Sequence, residues 1–303
     1  MTTNYKYHHL PELEGNYTRQ NIVVFSGAGM SAESGLSTFR DKNGLWKQYD
    51  WEKLASIEGF REDPQAVLDF YNMRRRRLLE VEPNHAHYLI AELEKWHDVT
   101  IITQNVDDLH ERAGSSDVLH LHGELKKVTS SLNPLSMKCV KEMPLDVPIR
   151  LGDKASDGSQ LRPFIVWFGE YVDNFSSAAD LVRKADIFVV IGTSLTVHPA
   201  AGLIHYAHRE IPKFIINPGD VDCPEGYTHI KEDATKGIET FIDWISKELV
   251  DEHHSYPIPK RPNLPLEEIE IPEWYREKYG SDIPIERMKG KCEIEISDNK
   301  LFY

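Results

Sequence analysis

Cysteine is scarce: only Cys139, Cys223 and Cys292 occur among 303 residues, far apart and with no CxxC pairing. That excludes an encoded disulfide framework and a cysteine zinc site. No run of about 18 apolar residues occurs, so no transmembrane helix is expected. Basic residues are outnumbered, 35 against 49 acids, for a net charge of −14. Such a chain has no long-range attraction to nucleic acid, and no nucleic-acid or membrane partner is expected. The opening stretch MTTNYKYHHLPELEGNYTRQ lacks the apolar centre of a signal peptide, which makes the cytoplasm the expected location.

What is present is the composition of a globular domain, 40% hydrophobic with mixed charge. Apolar runs bounded by turn residues lie at 21–26, 99–103, 118–122, 164–168, 187–192 and 213–217. Short, nearly all-apolar strands alternating with helical patterns predict an α/β fold, a doubly wound parallel sheet of Rossmann type covered on both faces. Helical spacing occurs over 64–80, 84–95, 176–184, 199–209 and 236–249. Two segments do not fit a simple βαβ repeat, about 30–80 and 126–162, and are expected to form a smaller inserted domain or cap beside a cleft. The main domain is expected over 16–249, after a short N-terminal tail over 1–15. Residues 250–303, rich in proline and charge, read as a C-terminal extension of unknown role.

Directly after the first apolar run stands GAGMSAESGLSTFR, Gly27 to Arg40. Gly27-Ala28-Gly29-Met30-Ser31-Ala32 satisfies G-x-G-x-x-G/A, a turn that brings backbone N–H groups and a helix N-terminus to a pyrophosphate. The acidic ribose partner of a simple dehydrogenase is missing: VTIIT runs into Gln104 and Asn105 instead. Further polar islands follow predicted strands at Thr103–Asp107, His120–Leu125, Gly192–Ser194 and Asn217–Gly219. Open α/β sheets bind ligands at that edge. The plainer reading is that Asn, Asp and Gly are ordinary turn residues; several islands at one edge argue for chemistry.

Together these stretches resemble the sirtuins, NAD-dependent protein lysine deacylases. GAGMSAESGLSTFR resembles the family's GAGxSxxSGIPxFR, TQNVDDLHERAG its TQNxDxLHxxAG, LHGEL its HGxL, VWFGE its V-x-F-G-E and GTSLTVHPAAGL its GTSxxVxPAxxL. The resemblance implies that NAD is held by Gly27, Ala28, Gly29, Ser31, Thr38, Phe39, Arg40, Trp46, Gln104, Asn105, Asp107, Gly192, Thr193, Ser194, Asn217, Gly219 and Ala234. It implies catalysis by His122 with Asn105 and Asp107, and a substrate peptide added along Val166, Phe168 and Gly169. The products would be free lysine, nicotinamide and 2′-O-acyl-ADP-ribose. Imidazole suits a general base near neutral pH. His120 and His122 alternate on a strand, so spacing alone does not choose between them; the HGxL match selects His122. An NAD glycohydrolase or mono-ADP-ribosyltransferase, and a non-catalytic NAD or acyl-lysine binding module, are the alternatives. The oligomeric state is not encoded.

Sirtuins usually carry two cysteine pairs that bind structural zinc after HGxL. Here that region holds Cys139 alone, with Ser130 near the first cysteine position. A closed zinc site needs four such ligands, so no zinc and no other metal is expected. Within the family a Tyr-x-x-Arg pair marks enzymes that remove acidic acyl groups such as succinyl and malonyl, and Tyr71-Asn72-Met73-Arg74 matches it. Positions i and i+3 share a helix face, and a guanidinium pairs with a carboxylate in two parallel hydrogen bonds. Arg75, Arg76 and Arg77 are expected to form a solvated basic face.

Overall fold

A computed structural model describes residues 19–38 and 50–250. The expected sites Phe39, Arg40 and Trp46, the tail over 1–15 and the extension from 251 onward lie outside the described residues. Among the described residues no helix is long and apolar enough to cross a membrane.

Six parallel strands form the main sheet in the order β3-β2-β1-β7-β8-β9. They are β1 (Asn21–Ser26), β2 (Asp98–Thr103), β3 (Val118–His120), β7 (Ile187–Ile191), β8 (Lys213–Ile216) and β9 (Thr228–Ile230). Successive side chains of β1 leave by opposite faces, and each face is sealed. Ile22 and Val24 pack with Val189, Phe214 and Ile216 beneath α4 (His85–Leu93) and α7 (Ala234–Val250), which contribute Leu89, Ile90, Phe241 and Ile242. Val23 and Phe25 pack with Phe188, Val190 and Ile215 beneath α6 (Phe175–Arg183) and a 3-10 helix, Ala200–His205, through Ala178, Val182 and Leu203. Each such fully buried Val, Leu, Ile or Phe side chain contributes about 1.5–3 kcal/mol, which is why the central positions of these strands are largely apolar on both faces. The expected helix over 199–209 is that short 3-10 helix, in a stretch that carries Pro199 and Gly202.

The run at 164–168 does not join the parallel sheet. It contributes to β6 (Leu161–Ile165), which pairs antiparallel with β4 (Gly123–Ser130) in a three-stranded sheet of order β5-β4-β6, with β5 at Lys141–Glu142. Its apolar character has another cause. Ile165 and Trp167 pack with Val67, Phe70 and Tyr71 of α3 (Pro64–Leu78). That helix follows two short ones, α1 (Trp51–Leu54) and α2 (Ile57–Glu62), and starts on Asp63, whose side chain accepts the Ala66 N–H at 3.0 Å, with Pro64 in the first turn. Leu68 of α3 joins Val128, Ile149 and Leu161 in a second apolar cluster. The helical insert and the sheet insert therefore share their cores.

Arg75 is the second correction. It is fully buried, 0% exposed, whereas Arg76 and Arg77 are exposed. Its guanidinium donates to the carbonyls of Leu125 (2.9 Å), Pro144 (2.7 Å), Val147 (3.2 Å) and Met143 (3.3 Å). One turn earlier Asn72 donates to the Ile149 carbonyl (2.8 Å) and accepts the Ile149 N–H (2.9 Å). These two side chains tie the loop over 143–149 to α3, giving buried carbonyls the partners that burial demands.

Candidate active site

Because all strands of the main sheet are parallel, the residues that follow β1, β2, β3, β7 and β8 gather at one edge. The glycine turn after β1 closes against the end of β7. Gly27 N donates to the Ile191 carbonyl at 3.0 Å and Gly29 N to the Gly192 carbonyl at 2.8 Å. A Cβ on Gly27 would lie 2.7 Å from that of Thr193, and one on Gly29 would lie 2.8 Å from the Gly192 Cα. Gly192 itself sits at φ +66 against Met30 N. These glycines are required first by the approach of two backbones, and the N–H groups of Gly27 and Gly29 are spent on it. The segment that follows is a 3-10 helix, Ala28–Ser34, rather than a regular α-helix.

Across this turn run the expected polar residues. Asn105, 4% exposed, donates through Nδ2 to the Gly27 carbonyl (3.1 Å) and to the Ser31 hydroxyl (3.2 Å). Ser31 in turn donates to Asp107 (3.1 Å), whose other oxygen accepts the Leu109 N–H (3.2 Å). Burial raises the pKa of Asp107, and those two donors oppose the shift. From the loop after β2, Gln104 donates to the Thr193 hydroxyl at 3.1 Å, and Asn217 donates to the Thr193 carbonyl at 3.1 Å. The Asn217 side-chain oxygen accepts the Gly219 N–H (2.9 Å), and Ala234 is buried at the first turn of α7. Ser194 is exposed, and Thr38 and Ala28 are partly buried. Among the described residues, these amides, hydroxyls and one carboxylate are a set of donors and acceptors that fits the riboses and carboxamide of a dinucleotide.

The structure separates the two histidines. Both ring nitrogens of His120 are in use, Nδ1 with the Asn105 carbonyl (3.0 Å) and Nε2 with Glu111 (2.9 Å). Burial works against charge on His120, yet the hydrogen bond and charge of Glu111, with Glu124 and the Asn105 carbonyl, outweigh it and raise its pKa. His122 donates Nδ1–H to the Gln104 carbonyl at 3.1 Å, which fixes the tautomer and leaves Nε2 as the basic nitrogen. Burial pushes His122 down to about 4, opposed by that carbonyl, so the ring is neutral at pH 7.

Beside this edge, α3 presents Tyr71 and Arg74. The Arg74 guanidinium carbon lies 5.8 Å from the centre of the Tyr71 ring and 5.7 Å from that of Phe70. Arg74 is partly exposed; burial lowers its pKa, against the pull of Tyr71 and Asp107. Burial raises the pKa of Tyr71, against Arg74, so the side chain stays a phenol that can donate. The Tyr71 oxygen accepts the indole N–H of Trp167 at 3.1 Å.

The expected peptide edge is partly occupied. β6 ends at Ile165, and the following N–H groups are taken: Val166 by the His122 carbonyl (2.9 Å), Trp167 by Glu170 (2.8 Å) and Phe168 by the Ala55 carbonyl (2.9 Å). Gly169 is exposed at φ +90. A peptide pairing here has the segment's carbonyls and Gly169 to use, since a donor from Val166 or Phe168 requires that one of these bonds break.

Where the first zinc cysteine was looked for, Ser130 is buried, donates to Asp157 at 2.6 Å and accepts the N–H groups of Leu132 (3.0 Å) and Asn133 (2.8 Å). Ser159 joins the same carboxylate at 2.7 Å. Cys139 is a free, buried thiol. This set does not fit a thiolate zinc site. Among the described residues one cluster has metal-like spacing, Glu111, His120 and Glu124. Lys126 stands 3.6 Å from Glu124 and 3.9 Å from Glu111, and Lys127 also bonds Glu124, so cations already balance it.

Sequence reasoning did not single out Trp167, Arg162, Glu170, Asn72 or Ser130 for the roles they hold. Trp167 lay within the VWFGE match, and its aromatic bulk at a turn was the available signal.

A family model described as Sir2 family matches residues 27–199, more than half of the chain. The chain is 56% identical over 223 residues to an NAD-dependent protein deacylase of Bacteroides thetaiotaomicron, covering 73% of this chain and 95% of that one. It is 51% identical over 226 residues to an NAD-dependent protein deacylase of Helicobacter pylori, covering 74% and 96%. A solved Sir2 homologue–ADP-ribose complex is similar at TM-score 0.69 and 36% identity, over 77% of this chain and 95% of that chain. With this sheet, this edge and these matches, the chain belongs to the Sir2 family.

Proposed function

We propose that this Sir2-family chain is an NAD-dependent protein lysine deacylase that accepts acidic acyl groups, succinyl and malonyl, at least as readily as acetyl. NAD, when bound, supplies the ribose to which the acyl group is passed, with nicotinamide and 2′-O-acyl-ADP-ribose as products. The chain's own residues do the rest. Asn105, Asp107 and Gln104, cross-braced to Ser31 and Thr193, offer amide and carboxylate groups to the carboxamide and ribose hydroxyls. Neutral His122 takes a proton at Nε2, and its Nδ1–H bond to Gln104 steadies the imidazolium that results. Thr38, Phe39, Arg40 and Trp46 complete the NAD site by family match, as do Gly27, Ala28, Gly29, Gly192, Ser194, Asn217, Gly219 and Ala234. Val166, Phe168 and Gly169 receive the peptide. The small domain stands without zinc, on Arg75, Asn72 and the Ser130–Asp157 bonds.

The observation that carries the acyl preference is the pairing of Tyr71 with Arg74: a phenol donor and a guanidinium on one face of α3, 5.8 Å from ring centre to guanidinium carbon. NAD hydrolysis or ADP-ribose transfer has no use for such a pair. Arg74→Met is expected to lower kcat/KM on a succinyl-lysine peptide by roughly 100-fold, the value of a charge-assisted pair of about 2–3 kcal/mol, and to change acetyl-lysine far less. Equal losses on both substrates would end the assignment.

A further inference from the structure

Behind Tyr71 lies a chain of buried contacts that no part of the acyl-transfer chemistry uses. Arg162, Trp167 and Tyr71 are each 2% exposed. The Arg162 guanidinium carbon lies over the indole, 3.3 Å from the ring centre, and the group is fixed by two bonds to Glu170, at 2.6 and 2.9 Å, and one to the Ile165 carbonyl at 2.6 Å. Glu170 also accepts the Trp167 backbone N–H at 2.8 Å, so one carboxylate holds both the main chain and the stacking partner of the tryptophan. Phe60 closes the indole's surroundings at 4.9 Å between ring centres. A cavity of about 440 Å³ borders the same group and is lined by Phe60, Arg162, Trp167 and Glu170. It includes neither the glycine turn nor His122.

The indole N–H donates to the Tyr71 oxygen at 3.1 Å. A phenol hydrogen prefers the plane of its ring and has two settings there. A donor arriving on one side excludes the setting that would bring two hydrogens together. The phenol is left with its hydrogen on the other side and with an oxygen polarised by the accepted bond. For a neutral acyl group this orientation has no value. For a terminal carboxylate it presents a ready donor beside Arg74.

We propose that Trp167 is a positioning residue for acyl specificity: clamped by Arg162 and Glu170, its indole N–H sets the Tyr71 hydroxyl as a donor to the acid group of the acyl chain. The inference rests on the acidic-acyl reading of Tyr71 and Arg74 and extends it to the residue that orients the phenol.

The test uses the full chain with NAD and succinyl- and acetyl-lysine peptides, comparing wild type, Trp167→Phe, Tyr71→Phe, the double variant and Arg74→Met. Phenylalanine keeps a ring under Arg162 and removes the donor together with the indole's second ring; the Tyr71→Phe background separates the two effects, because only loss of the donor depends on the Tyr71 hydroxyl. Trp167→Phe is expected to lower the succinyl-to-acetyl ratio of kcat/KM about tenfold, mainly through KM, the effect of one hydrogen bond. In the Tyr71→Phe background it should change that ratio no further, because the two residues act as a unit. An unchanged ratio, or an effect that persists without the Tyr71 hydroxyl, overturns the proposal. If Arg74→Met shifts the ratio and Trp167→Phe does not, this inference alone fails. If neither shifts it, the acidic-acyl reading fails and this inference with it. Should Trp167→Phe not fold, the indole N–H resonance of the wild type decides: it should move on Tyr71→Phe and on adding succinyl-lysine peptide, and a resonance unmoved by both overturns the proposal.

Discussion

At the scale of single residues, protonation and register do most of the sorting. The pair His120 and His122 was undecidable from spacing. They differ in the fold because His120 is bonded at both nitrogens while His122 is bonded at one. The low pKa of His122, about 4, sets what its proposed role as general base predicts for rate. The base is neutral above that value and is lost as pH falls through it. The acid limb of kcat/KM is therefore expected between about pH 4 and 5, well below the ordinary imidazole value of about 6.5. A limb centred at the ordinary value would contradict the burial argument. The arginine run shows the converse. Arg75 falls three residues before Leu78 and four after Tyr71, on the buried stripe of α3, yet its charge argued for solvent. Periodicity was the better guide, since the partners that make burial tolerable are carbonyls from residues 50 to 72 positions away.

Elements were legible where packing leaves one choice. β1, β2, β7 and β8 are flanked by helices on both faces, so their apolar runs mark strand, depth and parallel direction together. The run at 164–168 carries the same mark for a different reason, burial between α3 and β4, and a one-dimensional pattern does not distinguish the two. β4 escaped notice because Lys126 and Lys127 interrupt its apolar positions. The glycine turn was located correctly; sequence alone left open whether a ligand or plain packing requires the glycines, and the close approach of Gly192 supplies a packing reason. At this scale the tie between α3 and the 143–149 loop can be measured. Arg75→Met should lower the free energy of unfolding by roughly 2–4 kcal/mol, because it strands buried carbonyls, while Arg76→Met on the exposed face should change it by less than about 0.5 kcal/mol. Urea titration of both variants checks the contrast; equal midpoints would refute it.

For the whole molecule, the parallel sheet supplies one edge and the two inserts supply a cap with a shared core, so the residues proposed for NAD and those proposed for the acyl group come from separate layers. The motif islands disclosed the first layer. The support of the second is written in contacts between distant segments, Arg75 to Pro144 and Ser130 to Asp157, which no local pattern carries. Because the Ser130–Asp157 bond stands where the first zinc cysteine was looked for, dialysis against a strong chelator should leave the thermal midpoint and activity unchanged, and metal analysis should find less than one zinc per chain; a tightly held zinc would overturn that account. The central claim is the pairing of deacylation with an acid-recognising pocket. Full-length protein incubated with NAD and peptides bearing acetyl-, malonyl- or succinyl-lysine, followed by mass spectrometry, tests it most directly. The expected result is nicotinamide released in step with acyl removal, with succinyl and malonyl removed at least as fast as acetyl. Nicotinamide release without acyl removal, or acetyl removed with succinyl and malonyl untouched, would contradict it.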